Sequence, residues 1–300
     1  MDLSLGFARA RATIHALERF CRGAEPRFSN TRSGQSRGGR ENTMIYMRGA
    51  ELKEARDKGT YPFSVRAALE IDRIRCETPF TILTGGNGCG KTTVMEIYAA
   101  LLGAARIGNA RSAKADAADA CAGAFRPIMA AKAKSSFFFS AEDFIKYVEW
   151  VEAERRGAME ELKRIDGKYG PHSYARMPYC RTISELNGMY EGTLSAKSHG
   201  EGFIDFFKSR IIKNGLYLLD EPEGALSYEN QYLLSLILMD AAQMDCQFII
   251  STHSPVITAV PGAVIYQIDA NGAARKAYDE LENISFLKLF MARRDAFFQD

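Results

Sequence analysis

Read for the spacing of its apolar residues, the chain is unpatterned at its start and regular from Met44 onward. The runs "MIYMRGAEL" and "FSVRAALEIDRIRC" predict strands of a small antiparallel layer, and "PFTILT" (79–84) predicts a buried strand from its β-branched and apolar content. After a glycine-rich turn, Val94, Ile97, Tyr98, Leu101 and Leu102 recur at helical spacing, which predicts a helix with one core face. The Ala-rich segment 103–134 mixes helix and loop signals. "SSFFFS" (135–140) predicts a strand, and Phe144, Val148, Val151, Met159 and Leu162 predict a long amphipathic helix behind it. Strand-like runs return at 215–219, 247–251 and 263–268, with the helical stretch "YENQYLLSLILMDAA" between the first two. No internal repeat is visible. Strands alternating with helices imply an α/β fold whose core sheet is mostly parallel and covered on both faces, joined by the antiparallel layer and a short helical lobe.

Composition changes this picture at the N-terminus. The 300 residues are 46% hydrophobic and 25% charged, enough for one well-cored α/β domain. The net charge of +2 favours neither a nucleic-acid nor a membrane partner. Residues 1–43, however, hold eight arginines, no lysine and four acids, a local +4 that leaves the remainder at −2. With "RFSNTRSGQSRGGREN" at 27–42, this stretch is expected to be a basic, disordered extension. It reads either as an arm for nucleic acid or a partner, or as a solvated tail upstream of a natural start at Met44. The six cysteines form no C-x-x-C pair and no cluster with the four histidines, so reduced thiols are expected. No apolar run approaches the roughly 18 residues of a membrane span, and the start lacks a compact apolar signal core. The expected compartment is the cytoplasm.

Three stretches carry chemistry. In "TILTGGNGCGKTT", Gly85 is followed after four residues by Gly90-Lys91-Thr92, between a predicted strand and a predicted helix. A polyphosphate needs several backbone N–H groups pointing inward together, which requires glycine's conformational freedom and gains from the positive end of the next helix. Gly85, Gly86, Asn87, Gly88, Cys89, Gly90, Lys91, Thr92 and Thr93 are therefore the expected nucleotide-binding positions. Lys91 would bridge the outer phosphates and the Thr92 hydroxyl would ligate Mg²⁺; a plain glycine turn is the alternative. In "GLYLLDEPEGALS", an apolar strand delivers Asp220 and Glu221 at its carboxyl end, where parallel sheets bind ligands. Asp220 suits a Mg²⁺ shell, and Glu221 suits orienting and deprotonating an attacking water. In "FIISTHSP", a third strand ends 33 positions past Asp220 at His253, whose imidazole could hydrogen-bond a terminal phosphate.

Together these residues resemble an ABC-type ATPase, a P-loop NTPase, over Met44 to about Asp300. Gly85–Thr92 looks like its Walker A loop, Leu216–Glu221 its Walker B strand with the catalytic glutamate, Ala225-Leu226-Ser227 its D-loop and His253 its switch histidine. Ser198 and Gly200 in "SHGEG" lie where the family keeps its LSGGQ signature, 22 residues before Asp220. Lys197, His199 and Glu201 stand where that signature has Leu, Gly and Gln. Glu142 matches the Q-loop position, a second contact to the metal shell, and Tyr61 and Phe63 lie near the position of the adenine-stacking aromatic, where a core role is the alternative. The likeness is greatest to the small soluble branch called AAA family ATPases, in which "SHGE", "LYLLDEPE", "FIISTHSP" and "PGAVIYQID" recur together.

The resemblance implies an ATPase domain over 44–300 with the helical lobe inserted at about 141–200. It also implies ATP and Mg²⁺ as ligands and a homodimer that sandwiches ATP between one copy's Walker A loop and the other's signature. Hydrolysis would drive a conformational change in an unknown partner, protein or DNA. Two other readings stay open: a slow ATP-dependent switch in DNA repair or defence, and the nucleotide-binding subunit of a membrane transporter.

Overall fold

The computed structural model describes residues 44–53, 59–107, 113–189, 199–224 and 226–298. Among these residues the first elements are β1 (Met47–Leu52), a single helical turn α1 (Arg66–Leu69), the central strand β2 (Phe80–Gly85) and α2 (Lys91–Leu102). There follow β3 (Ala105–Ile107), α3 (Ala113–Cys121), β4 (Phe125–Met129) and β5 (Ser135–Ser140). A helical lobe comes next, made of α4 (Ala141–Tyr169), α5 (Met177–Met189) and α6 (His199–Arg210). The last third returns to β6 (Gly215–Asp220), α7 (Tyr228–Ala242), β7 (Gln247–Ser251) and the short α8 (Pro255–Thr258), then β8 (Val264–Asp269), β9 (Gly272–Lys276) and α9 (Glu282–Ala292).

Seven strands form one sheet in the order β3-β5-β6-β7-β2-β8-β9, parallel throughout except for β9, which runs antiparallel to β8. The central strands read as continuous apolar runs because both faces are covered: every residue of β6 and of β7 is buried. One face carries α2, which is buried almost all round over its first nine residues rather than along one stripe. Thr93, Met95 and Glu96 are enclosed along with Val94, Ile97 and Tyr98. On the other face, aromatic rings tie the lobe to the sheet. Phe139 of β5 packs on Phe207 at 4.8 Å between ring centroids, and Phe144 of α4 on Phe203 at 4.5 Å. The direction of α6 is thereby set by β5 and by the first turn of α4.

The antiparallel layer exists, with a different membership from the one the pattern predicts. β1 pairs with β4, inside the Ala-rich segment, in the register Ala50↔Pro127 and Leu52↔Phe125. The expected strand "FSVRAALEIDRIRC" is instead α1 followed by a 3₁₀ turn over Ile71–Arg73, which packs on β1 and pairs with it only at the bridge Gly49↔Arg75. The reason lies in its small residues and its period. Ala67 and Ala68 are buried, Ala67 against Gly90 of the glycine loop, and Ile71 and Ile74 recur at three rather than two.

One side chain fastens this layer to the main sheet. The Oε1 of Gln247, at the start of β7, accepts hydrogen bonds from the backbone N–H of Tyr46 at 2.8 Å and of Met47 at 3.0 Å, and its Nε2 donates to the Met47 carbonyl at 2.7 Å. Gln247 is fully buried, so these three backbone groups have no water to turn to. Gln247→Leu is expected to destabilise the protein by about 3 kcal/mol, the cost of leaving such groups unpaired, as measured by urea denaturation. A loss below about 0.5 kcal/mol would mean that the layer is held by packing alone.

Candidate functional site

The site is built where three neighbouring strands stop. β2 ends in Gly85, β6 in Asp220 and β7 in Ser251, and the parallel registers Leu83↔Ser251 and Asp220↔Ser251 bring the following residues to one edge of the sheet. The ladder continues one bond further, from the Glu221 N–H to the Ser251 carbonyl at 2.8 Å, while the Thr252 N–H donates to the Leu83 carbonyl at 3.0 Å.

From β2 the chain enters the glycine loop. Gly85 has φ +145°, and a Cβ there would lie 2.0 Å from the Ile268 carbonyl oxygen. Gly90 has φ +105°, with a Cβ position 2.5 Å from Val65 Cγ1, so the loop lies directly on the segment leading into α1. A Cβ at Gly86 or Gly88 would meet nothing within 4 Å. The Lys91 side chain is buried, and its Nζ donates to the carbonyls of Gly85 and Gly86, both at 3.1 Å, with Cys89 Sγ at 4.0 Å. Gly90 caps α2 with no side-chain acceptor, so the first-turn N–H groups of a 12-residue helix and the lysine charge face the same loop. This is an arrangement for an anion.

From β6 comes the acidic pair. Asp220 is buried, and its Oδ1 has no hydrogen-bond partner. Burial raises its pKa from the usual 3.8 to about 6, the nearby Ser251 and Thr92 hydroxyls partly opposing the rise and the charges of Glu221 and Glu96 adding to it. The two hydroxyls thus lie near the carboxylate without satisfying Oδ1. Glu221 adopts φ +48°, the left-handed region that a non-glycine residue enters at a cost. Its carboxylate is half-exposed, and Oε1 lies 3.5 Å from Nε2 of His253, the residue two positions past β7. That Nε2 is itself shielded from solvent and makes no hydrogen bond.

These groups open onto a cleft of about 680 Å³ whose walls include Thr92, Glu96, Asp220 and Glu221 on one side and Glu142 and Asp143 on the other. Glu142 sits in the first turn of α4, because Ser140 at the end of β5 pairs with Asp220 and aligns the two strand ends. It is largely exposed, and the Lys146 ammonium, 2.6 Å from Oε1, holds its carboxyl below the usual range. Burial pushes Asp143 and Glu96 upward, Glu96 being ion-paired with Arg106.

The structure thus places Thr92, Asp220, Glu221 and Glu142 on the walls of one cleft, with the rest of the loop 85–93 and His253 following strands that end at the same sheet edge. Ser198 and Ala225 lie outside the described residues, while Gly200 lies in the first turn of α6. Phe63 is a core residue, stacked on Phe125 at 5.8 Å, and does not face the cleft; the buried Tyr61 hydroxyl points inward toward Thr93. Sequence reasoning passed over Glu223, whose Oε1 accepts from the His253 N–H at 2.6 Å and from the Ser254 N–H at 3.2 Å. The only trace of this in the sequence is a third acid two residues after the pair.

No protein-family model matches the chain, and no curated protein matches it. Among solved structures, it is similar to ABC-type ATPase cassettes. One is a metal-chelate type ABC transporter in an inward-facing conformation, at 19% identity over 72% of this chain and 80% of that chain, with a TM-score of 0.37. Another is an ATP-binding cassette of an ABC transporter, at 13% over 73% and 89%, with a TM-score of 0.39. The Smc head domain of Pyrococcus furiosus, solved with an extended coiled coil, matches at 12% over 72% and 93%, with a TM-score of 0.34. At these identities and scores the functional reading rests on the site's own geometry.

The Asp220 shift has a stability consequence. Its folded-state pKa lies above the ordinary one, so the folded chain holds the proton more tightly than the unfolded chain. The cost of the buried carboxylate is absent below about pH 4 and fully present above about pH 6. Asp220→Asn is therefore expected to stabilise the nucleotide-free protein by about 2 kcal/mol at pH 7.5, the gain vanishing as the pH falls toward 4. Urea denaturation at both pH values checks it; a gain that does not depend on pH would count against a charged, desolvated Asp220.

Proposed function

We propose that this chain binds ATP with Mg²⁺ and hydrolyses it to ADP and phosphate. The observation that carries the reading is the convergence of the lysine-bearing glycine loop, Asp220, Glu221 and His253 on one sheet edge, with Glu221 Oε1 3.5 Å from His253 Nε2. A cationic loop beside a buried carboxylate fits an anion that carries its own cation, as a magnesium polyphosphate does.

The donor set fits magnesium. Asp220 Oδ1 is a buried oxygen without a partner, and the Thr92 hydroxyl is near it, two hard oxygen ligands for an ion that usually keeps several waters. When bound, the ion neutralises charge on the phosphate oxygens. The chain's own residues do the rest. Loop N–H groups and the Lys91 ammonium bind the β- and γ-phosphates, and the half-exposed Glu221 carboxylate orients a water and takes its proton. His253 Nε2 would hydrogen-bond the terminal phosphate. Glu142, on the cleft wall, would be a further ligand for the metal shell if released from Lys146.

The closed form in this reading is a homodimer. Ser198, with Gly200 in the first turn of α6, meets the terminal phosphate held in the other copy's loop, and hydrolysis lets the copies part, moving a protein or DNA partner. No helix among the described residues is long and apolar enough to cross a membrane.

Glu221→Gln is expected to bind Mg·ATP with little change while turning it over about 10² to 10⁴ times more slowly, and to elute as a dimer when Mg·ATP is present. Steady-state hydrolysis together with light scattering on the eluted species checks both halves. Equal turnover in wild type and variant removes Glu221 from its role; a species that stays monomeric at saturating nucleotide removes the sandwich.

A further inference from the structure

Strand β7 does not by itself hold the turn that carries His253. Glu223 reaches across from the segment after β6 and accepts the N–H groups of both His253 and Ser254 on one oxygen. A second tie runs through Gln231 on α7, whose Oε1 accepts from Ser254 Oγ at 2.7 Å and whose Nε2 donates to the Leu226 carbonyl at 2.9 Å. Gln231 and Ser254 are both buried. Ser254 Oγ in turn caps α8, accepting from Val256 and Ile257. Beside it, the Gly224 N–H donates to the Glu221 carbonyl at 3.0 Å and the Leu226 N–H to the Glu223 carbonyl at 2.9 Å. Two loops from different strands are thus cross-linked at two points.

Stability alone is a poor account of this arrangement. The second oxygen of Glu223, Oε2, is buried without a partner, a costly feature for a carboxylate that merely fastens a loop. A charged acceptor does, however, draw two N–H groups tightly to one point. That point fixes the backbone of His253, whose Nε2 must lie within reach of both Glu221 and the terminal phosphate.

We infer that Glu223 and Gln231 are positioning residues that lock the His253–Ser254 turn to the 221–226 segment, so that the imidazole and the Glu221 carboxylate move as one unit. The inference rests on the ATPase reading only for what the imidazole then does. It also makes the site sensitive to the chain just past Leu226, because displacement there pulls on Ser254 through a single amide.

The test uses the full chain with Glu223→Ala, Glu223→Gln and Gln231→Glu. In Glu223→Ala, kcat for Mg·ATP hydrolysis is expected to fall about 10- to 100-fold, the scale of a small misplacement of a reacting group, with KM and the Kd for Mg·ATP within about twofold of wild type. Glu223→Gln, whose amide oxygen can accept the same two N–H groups, should recover most of the lost rate. Turnover of Glu223→Ala within about twofold of wild type, a matching fall in nucleotide affinity, or no recovery in Glu223→Gln each overturns the inference. Should Glu223→Ala fail to fold, Gln231→Glu carries the test. It keeps the acceptor for Ser254 but turns an oxygen toward the Leu226 carbonyl, and kcat is expected to fall about 10-fold at unchanged KM. A wild type with no turnover sinks the ATPase reading and leaves the lock to be read from the His253 ring signal in histidine-labelled protein. That signal should shift and broaden in Glu223→Ala and keep its wild-type position in Glu223→Gln; an unmoved signal in Glu223→Ala overturns the lock.

Discussion

Ser251 is paired with both Leu83 and Asp220 across parallel ladders, and the hydrogen bonds from Glu221 to Ser251 and from Thr252 to Leu83 extend that pairing past the strand ends. A parallel ladder places the carboxyl ends of adjacent strands at the same edge. Glycine loop, acid pair and histidine therefore need no long excursions to meet. A slip of one residue between β6 and β7 would turn Asp220 to the opposite face. The continuous burial of β6 and β7, with Tyr217, Leu219, Phe248 and Ile250 facing one layer and Leu216, Leu218 and Ile249 the other, makes such a slip expensive. The packing of the core is in this sense what sets the geometry of the chemistry.

The elements near the site were legible because each carried a strong local signal. β2, β5, β7 and α7 run to within a residue of the stretches that apolar, β-branched runs and helical period mark out, and β6 and β8 end where those runs meet polar residues. The loop could be read because glycine at 85 and 90 is compulsory, for contacts with Ile268 and Val65 that the sequence does not display but does obey. What the pattern missed depends on partners far away in the chain. β4 is recognisable as a strand only once β1, more than seventy residues earlier, is beside it, since Pro127 within "FRPIM" argues against pairing except at an edge. The stretch 63–76 has strand-like branched residues, yet Val65 and Ala67 must fit against Gly90, a contact set by the fold and not by the local pattern.

Glu223 and Gln231 escaped for a related reason. A Glu after "DEP" and a Gln within an apolar helix look like solvated polar residues until the fold brings β7 beside β6 and turns both side chains inward. Gln247 is a third case: in the sequence it is the polar first residue of a strand, and in the fold it joins the main sheet to a layer 200 residues distant. Buried amides and carboxylates that bond to backbone carry almost no periodic signature, because their partners are set by topology rather than by spacing.

The same packing leaves the site under opposed charges that it does not resolve internally. Among the described residues Lys91 is met by two backbone carbonyls and the Cys89 sulfur, Asp220 is desolvated without a full set of hydrogen bonds, and Glu221 holds a left-handed backbone next to a second carboxylate. Each of these features costs stability, and none is needed to close the fold, since β6 and β7 would pair as well with apolar ends. An anion in the loop would offset the first, and a cation at Asp220 the second. Under the proposed function, bringing both in together would offset the repulsion that either charge alone would meet from the neighbouring like charge, which would favour a metal–polyphosphate pair over either component. Conformational strain that only the right ligand relieves also gives that ligand leverage over the chain, since its binding energy can be transmitted through Glu221, Glu223 and Leu226 to the segment beyond.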